Sequence, residues 1–180
     1  MTTTRERQEQ LARWLNLLVE TLRLQGGPTW EALLKIVSEK TVAIALDDIP
    51  LQVSAEGGDT LQLRFEYAVP SQSINFRSDA DTLRDIVSGR LTLDGALANT
   101  RIYACHNFEE LLGIHEVVTR ILADSASNSR LQELWMEFDS SWPVSKTSNR
   151  PSPLKKQKPA YGYFIENLPE DVLAIEVIKN

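Results

Sequence analysis

Cys105 and His106 stand side by side, the one thiol of the chain next to one of its two imidazoles. A thiolate nucleophile needs a base within hydrogen-bond reach. Neighbouring residues of a strand point to opposite faces, so in an extended segment these two cannot form that dyad, and they read as a strand end and a turn. A metal centre needs several thiolate or imidazole ligands at fixed spacing. One cysteine and two histidines supply no such set, so neither a metal nor a cofactor is expected. Three carboxylate pairs remain: Asp47 with Asp48, Asp79 with Asp81, and Glu109 with Glu110. Such pairs do acid–base work only where a cleft drives their pKa values apart. The second and third pairs precede apolar runs, where caps and first-turn acids complement the helix dipole, and the first suits a turn. Gly26-Gly27 and Gly57-Gly58 lack the lysine, serine and strand-to-helix setting of a phosphate loop. No catalytic residue is expected, and the chain reads as a non-enzyme.

Other side chains are suited to binding rather than reaction. His115 falls on an otherwise apolar helical stripe, where it serves either a ligand head group or a backbone carbonyl in the core. Trp14 and Trp30 lie on apolar helical faces and read as core. Trp135 and Phe138, near the end of the last helix, read either as core or as the rim of a ligand entrance or dimer interface. Lys146, Arg150, Lys155, Lys156 and Lys158 form a basic run without interleaved aromatics, which reads as a solvated tether with at most peripheral contact to anionic lipid.

Elements of two periods position these residues. From Arg5 to Gln25, Leu11, Trp14, Leu15, Leu18 and Leu22 recur at helical spacing. Gly26-Gly27 stops that helix, and Pro28 opens a second one carrying Trp30, Leu33, Leu34 and Val37. The period becomes two at Thr41: Val42, Ile44 and Leu46 alternate, Asp47 to Pro50 interrupts, and Leu51 and Val53 resume. Gly57-Gly58-Asp59 turns the chain into Leu61, Leu63, Phe65 and Tyr67. Ile74 and Phe76 begin a fourth strand. Ser78 or Asp79 caps a helix through Leu83, Ile86 and Val87 that ends at Gly89, and a helical turn spans Asp94 to Ala98. Arg101 to Cys105 reads as a fifth strand. Asn107 caps a long helix with Glu110 in the capping-box position, and Phe108, Leu111, Leu112, His115, Val118 and Leu122 are its expected inner face. A last helix runs from about Arg130 to Phe138.

The 180 residues, 42% of them hydrophobic and 24% charged, suffice for one sizeable core. The expected organisation is a domain over 1–140, a linker over 141–160 with four prolines, five Lys or Arg and no acid, and a short β-hairpin over 161–180. A net charge of -6 repels phosphate backbones, so no nucleic-acid partner is expected. No run approaches a transmembrane length, and the lone cysteine gives no reason to invoke an oxidising compartment, so the expected location is cytoplasmic.

The order Ile74-Asn75-Phe76, Ser78 to Asp81 as a cap, Leu83 to Val87 as a helix closed by Gly89, Ala96-Leu97-Ala98 as a turn, Arg101 to Tyr103 as a strand and Asn107 opening a helix resembles sterol carrier protein domains. The preceding helix and meander stand in the same order as in that family. Two positions where the family often places glycine are Thr100 and His106 here. The resemblance implies an α+β fold, a five-stranded, mainly antiparallel sheet covered by helices, with an apolar cavity between the two that takes up a fatty acid, sterol or similar molecule. It marks no universal contact residue, so the inward positions Leu63, Phe65, Ile86, Leu111, Leu112, His115 and Trp135 are the expected pocket. The rival expectation is a cavity-less module that forms a homodimer, or docks on a partner, through the terminal hairpin or the last helix.

Overall fold

The computed structural model describes residues 3–70 and 73–143. Two helices open the chain, α1 (Thr4–Gln25) and α2 (Gly27–Val37). Thr3 caps α1 in a reciprocal box: its hydroxyl accepts the Glu6 N–H at 3.2 Å, and the Glu6 carboxylate accepts the Thr3 N–H at 2.6 Å. Gly26 and Gly27 hold φ of 66° and 75°, which is what lets two helices meet without an intervening loop.

Five strands follow: β1 (Thr41–Leu46), β2 (Ile49–Glu56), β3 (Gln62–Glu66), β4 (Phe76–Ser78) and β5 (Ile102–Ala104). They form one sheet in the order β3-β2-β1-β4-β5. Asp47 and Asp48, at φ of 49° and 62°, make the two-residue turn between β1 and β2, with the left-handed pair that matches strand twist. β1–β2, β2–β3 and β4–β5 are antiparallel, but β1 and β4 run parallel with Ile44 beside Phe76. The sheet is therefore mixed rather than mainly antiparallel. Strand stagger is the reason. Glu66, the end of β3, lies opposite Gln52, which lies opposite Ala43, so β3 stops at the height where β4 starts. The chain between them has only to move sideways across three strand spacings, about 14 Å, and it resumes in the direction it left. Beyond the end of β3, the buried side chain of Gln8 donates to the carbonyls of Pro50 at 2.6 Å and Tyr67 at 2.8 Å, satisfying groups that no strand reaches.

Four more helices are α3 (Ala80–Val87), α4 (Leu93–Ala98), α5 (Phe108–Ser125) and α6 (Ser129–Ser141), capped by the side chains of Asp79, Thr92, Asn107 and Asn128. Buried side chains gather in three clusters. Leu11, Leu46, Leu51, Val53 and Phe138 join α1 and α6 to the sheet. Leu22, Val117, Ile121 and Leu131 join α1, α5 and α6, with Leu33 and Ile36 of α2 against them. Ile86, Leu91, Ala96 and Ile102 unite α3, α4 and β5.

The inner face of α5 departs from the expected one. Val117 and Ile121 are buried, whereas Phe108 is 74% and Leu112 55% exposed. The helix is turned by one residue, about 100°, from the expected orientation. Its sequence is apolar on more than one side, and tertiary packing chooses between the sides: α2 seats against Gly113, where a Cβ would fall 2.1 Å from Ile36 Cδ1. Trp142, assigned above to the linker, is 3% exposed; it stacks on Phe138 at 5.8 Å and donates from Nε1 to Asp47 Oδ2 at 2.7 Å. Packed residues thus continue two positions past the expected end of the domain. The rest of the linker and the hairpin over 161–180, with the partner role placed on it, lie outside the described residues.

Candidate functional site

Between the sheet cluster and the helix cluster the packing leaves an apolar cavity of about 270 Å³. Its walls follow from the amphipathic patterns. α1 contributes Leu15, Leu18, Val19 and Leu22; α2 contributes Leu33, Ile36 and Val37; the strands contribute Val42, Ile44, Val53, Ala55, Leu63 and Phe76 from one face; α5 contributes Ile114 and Ile121. Protein interiors are normally filled to crystal density, so an apolar space of this size departs from ordinary packing.

One end of the cavity is polar. Lys40 arrives from the turn that follows α2, where Glu39 takes a left-handed φ of 58°. Asn107 opens α5 by accepting the Glu110 N–H at 2.9 Å, which sets Glu110 in the first turn. In a capping box the Glu110 carboxylate would reach back to the Asn107 N–H. Instead its Oε1 accepts from Lys40 Nζ at 2.7 Å and its Oε2 faces His106 Nδ1 at 3.2 Å. The side chains of Lys40, Glu110 and His106 are 40%, 29% and 14% exposed, so this end is partly solvated. The hydrogen bond from Lys40, reinforced by that from His106, holds the Glu110 carboxyl below the ordinary carboxylate value.

Of the seven side chains expected to form the pocket, Leu63 alone lines this cavity. Phe65 packs beside the sheet cluster, and Ile86 is committed to the α3–α4 cluster. Leu111, Leu112 and His115 miss because α5 is turned: Leu112 faces solvent, and His115 Nε2 meets Asp94 Oδ1 at 3.1 Å on the surface. Trp135 sits against the helix cluster, its Nε1 donating to Ser125 Oγ at 3.0 Å, with its ring 5.2 Å from that of Trp14. The walls supplied by α1 and α2 were visible as apolar stripes, but a stripe facing a void is indistinguishable in sequence from one facing a filled core. Lys40 and His106 carried no signal, because their proximity to Glu110 spans strand and helix boundaries.

The remaining candidates lie away from this cavity or make local contacts. Cys105 is exposed while His106 turns to Glu110. Asp79 takes both the N–H and the hydroxyl of Thr82 at 2.6 Å, Asp81 pairs with Arg84 at 2.7 Å, and Asp47 accepts from Ala80 N–H as well as Trp142. Among the described residues no group of three or more His, Cys, Asp or Glu could hold a metal, and no helix is long and apolar enough to cross a membrane. No family model matches the chain, and no curated protein or solved structure matches it significantly.

Proposed function

We propose that the protein binds a single-chain apolar or amphipathic molecule in the cavity between α1, α2, α5 and the sheet, and carries it without transforming it, as a divergent relative of the sterol carrier proteins. The observation that supports this is the cavity of about 270 Å³, walled by aliphatic side chains with one charged end. Helices packed on a five-stranded sheet support the reading, while the parallel β1–β4 pair departs from the mainly antiparallel sheet that the resemblance implies. A cytoplasmic location goes with this reading, since a single cysteine offers no disulfide suited to an oxidising compartment.

Volume narrows the ligand. An engineered cavity of about 150 Å³ accommodates benzene, so about 270 Å³ takes on the order of ten or eleven carbon atoms. A chain of that length fits, whereas a whole sterol requires the helices to part. Each methylene removed from water contributes about 0.8 kcal/mol, or roughly a fourfold gain in affinity. Displacement of a fluorescent probe by straight-chain alcohols from six to fourteen carbons tests the reading. Kd is expected to fall about fourfold per added carbon and to level off near ten. Alcohols that displace nothing at any length, from a protein that yields no lipid on organic extraction, would overturn it.

A further inference from the structure

The cavity wall is hydrocarbon everywhere except where Lys40, His106 and Glu110 meet. Both oxygens of Glu110 are engaged, Oε1 by Lys40 and Oε2 by His106. The donors are not exhausted: the ammonium of Lys40 carries three N–H groups and makes one hydrogen bond among the described residues, and His106 uses Nδ1 and leaves Nε2, which donates only when the ring is protonated. The cluster thus keeps spare N–H donors on Lys40. A head group that accepts from the ammonium fits it. Resting on the ligand-binding reading above, we propose that Lys40, His106 and Glu110 form a head-group subsite for the carboxylate of a medium-chain acid, and that binding there places one proton on His106.

The proton follows from two independent counts. Lys40 and Glu110 cancel, so with neutral imidazole the cluster has no net charge, and an entering carboxylate leaves an uncompensated negative charge at the end of an apolar cavity. A proton on His106 restores neutrality. Neutral His106 with its Nδ1 hydrogen turned to Glu110 also has a bare lone pair at Nε2, which repels a carboxylate; protonation makes that nitrogen a donor. Glu110 does not compete for the proton, because Lys40 and His106 hold its carboxyl low. Glu110 from α5 and Lys40 from the turn before β1 are the charged groups that face His106; the side chains that α1, α2 and the strands add to the cavity are apolar.

Isothermal titration of the full chain with decanoate, decanol and methyl decanoate tests this. At pH 7.5, in buffers of differing ionisation enthalpy, decanoate is expected to take up close to one proton and the two neutral ligands none. Between pH 6 and 8, across and above the ordinary histidine range near 6.5, the Kd of decanoate is expected to rise at least tenfold while that of decanol stays flat. His106→Gln should abolish the proton uptake, and Lys40→Met should weaken decanoate more than decanol. Decanol and decanoate that bind equally, with no pH dependence, would overturn the subsite and leave the cavity standing. Proton uptake that persists in His106→Gln would overturn the assignment to His106. Failure of all three ligands to bind would remove the ligand-binding reading itself.

Discussion

Thr100 has a left-handed backbone, with φ of 55°. For a β-branched residue that conformation costs about 1–2 kcal/mol, held in place by the Thr100 N–H bonded to the Leu97 carbonyl at 3.1 Å and the Arg101 N–H bonded to Ala96 at 2.9 Å. The turn between α4 and β5 therefore holds a left-handed backbone without the glycine that would adopt it at no steric cost. Thr100→Gly should relieve the strain and lose part of the gain to unfolded-chain entropy, for a net stabilisation of about 0.5–1 kcal/mol read as a higher urea midpoint at constant slope. His106 is not left-handed, and its side chain is turned into the polar end of the cavity.

Helix α5 shows how one element serves several neighbours. Val117 and Ile121 pack toward α1 and α6, Leu122 toward the α3–α4 cluster, and Gly113 admits α2. Ile36 lines the cavity and also fills the space that a side chain at 113 would need, so the two positions are coupled. Gly113→Val should destabilise by about 1–3 kcal/mol despite the better helix propensity of valine over glycine, by driving Ile36 into the cavity. Ile36→Ala alone should cost about 2–5 kcal/mol as a large-to-small change. Combined in a double-mutant cycle measured by denaturant unfolding, the pair should cost at least about 1 kcal/mol less than the sum of the singles. Strict additivity would mean that α2 and α5 do not meet at these residues.

At the scale of the whole molecule, the C-terminal end of the described chain is an anchor. Trp142 closes the sheet cluster against Phe138, its indole N–H reaches Asp47 in the turn between β1 and β2, and Arg84 of α3 holds the carbonyls of Trp142 and Pro143. Three distant parts of the sequence are thus tied at one point. Burial of a tryptophan of this kind is worth about 3–5 kcal/mol, a large share of the stability of a domain this size. A chain ending after Ser140 should unfold at a markedly lower denaturant concentration than one ending after Pro143, as should full-length Trp142→Ala. Equal midpoints for the two truncations would show that the ring contributes nothing.

The sequence alone determined the local elements, because caps, glycines and periodicities act within a few residues of themselves: Asp79, Asn107, Gly26-Gly27 and the alternation of Val42, Ile44 and Leu46 each carried enough information to place a helix end, a turn or a strand face. Three things were decided only in tertiary structure. The parallel pairing of β1 with β4 depends on where β3 happens to stop, which is a property of register between strands far apart in the chain. The buried side of α5 depends on Gly113 meeting Ile36, since a helix apolar on several sides has no preferred side by itself. The cavity is the difference between the volume the layers enclose and the volume their side chains fill, and its polar end is assembled from Lys40, His106 and Glu110, whose encounter no local pattern encodes.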